Sequence, residues 1–322
     1  MFSGPFQRAH AYSQVMQAAT LAPPAKSVSV FDFDRGAFQK NFNQQWFALE
    51  HALANHPLFT VERLVRLAKQ TAQDRPTDLY FDKGATKPGQ RWNETPACDL
   101  PIEETIRRLE HEGAWIILKH AEIDPAYRDI LQRAMSEVFE LTGREIEKQI
   151  KFSEVILFIT SPRRLTTYHI DRECNFVAQI RGDKTIYIFD RDDKEVLPEA
   201  EIERFWAVDT NSARYKPELQ SRAHSFLLRP GNGVHIPVHA PHWLQNHDDI
   251  SITASLNFKF KESVEANVYR MNYFLRKFGM IPTPPGQSRT RDAIKRSIAG
   301  AVLAANAAVP EGVRDRVRRA LR

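Results

Sequence analysis

Cysteine is scarce in this chain and long apolar runs are missing, and each absence removes a class of protein. The 322 residues include two Cys, Cys98 and Cys174. Two thiols are too few for a disulfide framework or a four-thiolate zinc site, and the scarcity fits a reduced, cytoplasmic setting. The longest apolar runs, near residues 155–159 and 299–309, fall well short of the ~20 residues that a bilayer span takes. Residues 1–26 carry Arg8, His10 and Lys26 without an apolar stretch long enough for a signal peptide. There is no internal repeat and no low-complexity tract. What is present, 42% hydrophobic and 10% aromatic residues, is ample for a buried core, so a folded, soluble protein with no membrane partner is expected.

The net charge of +5 is unevenly placed. From Gln287 onward there are nine Lys/Arg against three acids, a charge of +6, which leaves the rest of the chain at −1. The basic character therefore belongs to the tail. A solvated helix face accounts for such a tail better than a nucleic-acid contact does, because no DNA- or RNA-reading motif accompanies it.

Residues 1–30, with Pro5, Pro23 and Pro24, read as an extended arm. Between Phe38 and Gln73 apolar residues recur near helical spacing, broken at His56-Pro57, with Thr60 as the cap of a second helix. Residues 76–103, rich in Pro, Gly and Asp/Asn, read as irregular, and 103–112 as a helix closed by Gly113. A buried strand at 114–118 and an amphipathic helix at 126–140 follow. Beyond Lys151 the pattern changes to short strands separated by turns: 154–160, 166–171, 176–180, 184–190, 225–229, 233–236 and 250–260, with one helix near 199–206. Closely spaced strands of this kind predict a double-sheet jelly roll, a double-stranded β-helix of the cupin type, flanked by helices. The expected division is 1–112, an N-terminal arm with a helical and irregular extension; 113–261, the jelly-roll core; and 262–322, a basic helical region. There Ile294, Ile298, Val302, Ala305 and Val309 recur at helical spacing and suit a dimer contact.

The chemistry concentrates in two stretches. His169 and Asp171 lie two apart, so a strand carries both to one face, where they can hold a metal. A third ligand is available among His235, His239, His242 and His247. The run Ile236-Pro237 followed by His242 reads as a strand, a turn and a residue aimed back inward, with His235 and His239 as alternatives. Two imidazoles and one carboxylate leave coordination positions open, the pattern of non-haem Fe(II) oxygenases. Glu173, two beyond Asp171, points toward the same cavity as a candidate substrate contact. Cys174 and Trp243 read as packing.

With these motifs the stretch from about Ile156 to Lys261 resembles the JmjC and cupin-like Fe(II)/2-oxoglutarate dioxygenases, and within them the asparaginyl hydroxylases of the factor-inhibiting-HIF type. Thr166 lies three residues before the metal His, Asn175 four after the Asp, and Lys184 thirteen after it, behind Gln179 to Gly182. Gly231 to His242 matches the second motif, with Asn232 where Asp is usual, and Asn257 follows fifteen residues later.

The resemblance implies Fe(II) on His169, Asp171 and His242, with 2-oxoglutarate and O₂ on the open positions. Lys184 and Thr166 would bind the far carboxylate, and Asn175 and Asn257 would serve the metal-bound end. It implies hydroxylation of an amino-acid side chain in a protein or peptide, or of a small molecule, with succinate and CO₂ as co-products. A carboxylate at Asp171, absent from related halogenases, implies an alcohol product. The alternative class is a metal-binding cupin that senses a ligand without oxidising anything. One feature conflicts with simple alternation: Thr166 has the wrong parity to share a face with His169, which requires a bend or a loop.

Overall fold

The computed structural model describes residues 29–308 except 84–86, 92–93, 97, 99 and 262–263. Most of the expected N-terminal arm and Arg314 to Arg322 of the basic tail therefore lie outside the described residues. Twelve described strands form two sheets. The eight-stranded sheet runs β1 (Phe31–Asp32), β2 (Phe47–His51), β10 (Asn232–Ile236), β7 (Cys174–Arg181), β12 (Ser251–Phe260), β5 (Ile150–Thr160), β4 (Trp115–Leu118), β3 (Leu79–Asp82). The four-stranded sheet runs β6 (Leu165–His169), β11 (His242–Asn246), β8 (Lys184–Ile188), β9 (His224–Leu228). Every ladder is antiparallel. The architecture is the expected double-stranded β-helix with flanking helices.

Alternation along β12 explains how one strand serves two environments. Ile252, Ala254, Leu256 and Phe258 enter the main core, while Thr253, Ser255 and Asn257 turn into the cavity between the sheets. The core-facing side packs under α2 (Val61–Asp74) and α5 (Pro125–Thr142), whose Leu64, Leu67, Tyr127 and Ile130 are buried there. Burial of each such side chain contributes roughly 1.5–3 kcal/mol. Helix α5 starts where Asp124 accepts a hydrogen bond from the Ala126 amide and Pro125 takes the first helical position, both N-terminal signals. Thr60 occupies the N-cap position of α2 without a side-chain capping bond.

Three local expectations change. Phe47–His51 is a strand, not part of a helix. Its exposure alternates with period two and it pairs with both β1 and β10, so sheet pairing overrides a weak helical period. Within the stretch read as irregular, Leu79–Asp82 forms the edge strand β3. His242–Asn246 is a central strand of the smaller sheet, not only a turn product. The helix expected at 103–112 is present as α3 (Ile102–Arg107) and α4 (Leu109–Glu112), ending on Gly113 at φ 60°.

Of the last two helices, α7 (Val264–Lys277) packs on α6 (Glu199–Ala207), and α8 (Arg289–Ala308) packs on α7. Phe278 is 81% exposed and Ile281 93%, with Phe274, Met280, Ile294 and Ile298 also exposed. The side chains of Val302, Ala305 and Val309, expected on the same surface, lie outside what is described. Among the described residues no helix is long and apolar enough to cross a membrane.

Candidate active site

One cavity of about 350 Å³ opens between the sheets and is lined by Thr166, His169, Asp171, Glu173, Asn175, Lys184, His242 and Asn257. His169 ends β6, Asp171 lies two residues beyond it, and His242 begins β11 directly opposite His169. Their potential ligand atoms all lie within 4.8 Å of one another. The His169 and His242 Nε2 atoms lie 3.9 and 3.7 Å from the Asp171 carboxylate. On each ring Nδ1 meets a backbone carbonyl, Thr167 at 2.7 Å and Ala240 at 2.9 Å. A carbonyl only accepts, so Nδ1 carries the proton and the Nε2 lone pair faces the common point, as a metal ligand requires. Burial, with His169 beside it, brings the His242 pKa down to about 4, which keeps that ring neutral. Asp171 accepts from Asn175 Nδ2 at 2.7 Å, and its carbonyl accepts the His239 amide at 3.0 Å. A divalent cation fits this donor set.

The other histidines face elsewhere. His235 is fully buried among Phe42, Phe47 and Phe176, and its Nε2 accepts the Asn43 amide. His239 Nε2 accepts the Trp206 indole N–H at 2.9 Å, and its backbone at φ 66° turns the chain back toward β11. His247 Nε2 bonds Thr185 Oγ1.

The parity conflict at Thr166 is resolved by a β-bulge. His169 pairs with His242 but Thr166 with Leu244, so three steps on β6 oppose two on β11. The extra residue restores the face, and both Thr166 and His169 line the cavity. A bulge of this kind re-aims a side chain at a functional site. Sequence alternation alone has no signal for it.

At the far end stands Lys184, opposite Asn246 on β11. Asn246 lies four residue steps from His242 along β11, a Cα spacing of about 13 Å. The lysine side chain and a five-carbon diacid together span that distance. Lys184 is 3% exposed and has no carboxylate or hydrogen-bond partner among the described residues. Burial without a countercharge brings its pKa down to about 7. The turn that delivers it is braced: Gln179 Nε2 donates to the Arg181 and Gly182 carbonyls at 2.7 Å. Gly182 sits at φ 71°, where a Cβ would come within 2.3 Å of the Ile250 carbonyl, so only glycine fits.

Asn175 and Asn257 face each other across β7 and β12 near the triad. Asn175 Oδ1 is buried with no partner, and Asn257 Oδ1 accepts from Ser255 Oγ at 2.5 Å. Glu173 lines the cavity; burial first, then Asp171, raises its pKa, and Lys259 Nζ is 4.0 Å away. Sequence reasoning missed the wall made by Thr77, Leu79, Tyr80, Trp115 and Ile117. The aromatic and apolar run Leu79-Tyr80-Phe81 was the available strand signal. It also missed Asn246, whose Nδ2 bonds Thr160 Oγ1 at 2.7 Å and the Ser161 carbonyl at 2.8 Å, tying the two sheets together beside Lys184.

No family model matches the chain. In sequence it is similar to the HSPB1-associated protein 1 of Rattus norvegicus, 24% identical over 197 residues that make up 56% of this chain and 39% of that protein. The Bos taurus protein of the same name is 21% identical over 237 residues, 70% of this chain and 47% of that protein. The chain thus spans less than half the length of these curated relatives. A solved structure of Escherichia coli ycfD aligns with a TM-score of 0.52 and 13% identity, over 87% of this chain and 69% of that one. Another structure of that protein, described as a ribosomal oxygenase, gives a TM-score of 0.48 at 13% identity, over 87% and 68% of the two chains. At such identity the likeness to ycfD is one of fold.

Proposed function

We propose that the protein is an Fe(II)- and 2-oxoglutarate-dependent oxygenase that hydroxylates a side chain of a protein or peptide. The observation that carries this reading is Lys184. A buried ammonium without a counter-ion is costly, and this one shares its cavity with three convergent metal-ligand side chains. An anion with a second, metal-binding end meets both requirements, and 2-oxoglutarate has that form.

In this reading His169, Asp171 and His242 hold Fe(II), which when bound supplies the redox chemistry with O₂. Lys184 and Thr166 bind the far carboxylate and set the depth of the co-substrate. Asn175 orients Asp171 through its amide and, with Asn257, places polar groups beside the metal-bound end. The β3 and β4 wall keeps water from the co-substrate. The balanced reaction consumes R–H, O₂ and 2-oxoglutarate and yields R–OH, succinate and CO₂. The expected division at 112/113 and 261/262 belongs to this reading, since β6–β12 carry every ligand-binding residue named.

A protein side chain is preferred as substrate because the similarly folded E. coli protein is described as a ribosomal oxygenase. The motif's likeness to the asparaginyl hydroxylases makes Asn the first residue type to assay. The exposed apolar residues of α7, of α8 and of the segment joining them are assigned to a homodimer contact, to be checked by sedimentation of the full chain and of a Phe278→Asp, Ile281→Asp variant. The enzymatic reading predicts O₂-dependent succinate formation from 2-oxoglutarate that N-oxalylglycine blocks and Asp171→Ala abolishes. Tight 2-oxoglutarate binding with no turnover against a peptide library or a cell extract would instead support a ligand sensor.

A further inference from the structure

Beside the metal cavity lies a second, larger groove of about 910 Å³ that the reaction as described does not use. Its lining carries six basic side chains, Lys148, Arg172, Arg191, Lys194, Lys259 and Lys261, against two acids, Asp192 and Glu265. The two cavities adjoin. Lys259 lies two residues beyond Asn257 on β12, on the same strand face, and pairs with Glu173, which lines the metal cavity. Arg172 follows the metal-ligand candidate Asp171 directly in the chain.

Two of the cations are held rigidly. The Arg172 guanidinium stacks 5.0 and 4.8 Å from the Phe205 and Trp206 ring centroids and donates to the Phe205 carbonyl at 2.9 Å. Arg191 donates to the Val238 carbonyl and to Gln44 Oε1, both at 3.2 Å. Fixed guanidinium forks lose little entropy when they bind a carboxylate. Neither Arg191 nor Lys261 has a salt-bridge partner among the described residues. Lys148 and Lys194 are offset by Glu145 at 2.7 Å and Glu199 at 3.0 Å.

We propose that this groove docks an acidic peptide segment, which presents a neighbouring side chain to the metal cavity. The proposal rests on the oxygenase reading for the second clause only. Charge balance separates a peptide from a nucleic acid. A nucleic acid brings a phosphate at every nucleotide and calls for a continuous basic track. Here Lys148, Lys194 and Lys259 are each paired with an acid, and Asp192 and Glu265 interrupt the lining, which suits a few carboxylates at spaced positions.

The test is fluorescence anisotropy with the metal-free full-length protein and three labelled probes: a Glu/Gly dodecapeptide, a Lys/Gly dodecapeptide and an RNA dodecamer. The Glu/Gly peptide is expected to bind, to weaken as salt rises, and to weaken roughly tenfold in Arg191→Glu and in Lys261→Glu. Arg163→Glu, 80% exposed in its own ion pair and outside the groove lining, is expected to bind like the parent. Lys261 is exposed, so its variant reports on the groove even if Arg191→Glu disturbs the fold. The proposal is overturned by equal binding of the Lys/Gly peptide, by tighter binding of the RNA, or by parental affinity in both charge reversals. Because no metal or co-substrate is present, this binding readout is independent of the oxygenase reading, and absence of turnover in the separately reconstituted enzyme with peptide binding intact would count against that reading alone.

Discussion

Arg164 and Lys184 are both buried cations, and the protein treats them in opposite ways. Arg164 is 5% exposed and meets Asp82, itself 1% exposed, at 2.7 Å. Lys184 is 3% exposed and meets nothing of opposite charge. The first arrangement closes a structural account: the pair ties edge strand β3 to the chain just before β6. Burial lowers the arginine pKa and raises that of the aspartate, so desolvation outweighs attraction for both, yet a guanidinium remains charged at neutral pH. In the proposed reading 2-oxoglutarate completes the second arrangement. A charge that the fold satisfies is architecture, and a charge that it leaves unsatisfied inside a cavity is, in the proposed reading, where the co-substrate's carboxylate binds.

That contrast can be broken by substitution. The largest effect is expected at the opposite end of the cavity from Lys184. Asp171→Ala should lower succinate formation by more than roughly 100-fold, since even residues that only orient metal ligands cost 10–100-fold. Tight manganese binding and parental turnover in this variant would remove the metal site from the account.

Next comes the structural cation. Arg164→Ala should destabilise the protein by about 3–5 kcal/mol in urea unfolding, because Asp82 is left buried without a countercharge, bonded to the Tyr80 and Thr95 hydroxyls, with little change in 2-oxoglutarate affinity of the folded form. Lys184→Met should do the reverse, weakening 2-oxoglutarate binding by about 2–5 kcal/mol while stabilising the ligand-free protein by about 1–4 kcal/mol. If both variants behaved alike in calorimetry and unfolding, the distinction between them would be lost.

The pH dependence sharpens the same point. The unfolded lysine titrates near 10.5 and the folded one near 7. Between those values the unfolded chain holds a proton that the folded one has shed, so this group makes stability rise with pH across that window. Below about 7 both states are protonated and the burial penalty is fully present. The difference between parent and Lys184→Met unfolding free energies, measured in ligand-free protein across pH 7–10.5, should follow that slope. The smallest effect is expected at Thr166→Val, a loss of about 0.5–1.5 kcal/mol in 2-oxoglutarate affinity, the worth of one hydrogen bond.

Much of the core was legible because its signals are local. The seven strands expected after Lys151 all appear, since β12 and its neighbours alternate apolar and polar residues with period two. Helices α2 and α5 announce themselves by apolar stripes, and α2 also by Thr60. Phe47–His51 was misread because five residues can satisfy either period, and only pairing with β10 decides between them. Leu79–Asp82 was missed for a related reason: an edge strand among Pro, Gly and Asp residues has too few residues to outweigh its flanks.

By itself the sequence determined which side chains can do chemistry: the His-x-Asp pair, the later histidines, and a lysine and two asparagines at fixed spacings. Strand periodicity sends i and i+2 to one side, so that much follows from covalent geometry. Only the tertiary structure decided that His242, and not His235 or His239, meets the pair, because register between β6 and β11 is set by packing across the sheets. It alone placed the bulge that turns Thr166 inward and left Lys184 without a counter-ion. An unmet charge is a property of everything that surrounds a residue, and no local pattern along the chain encodes it.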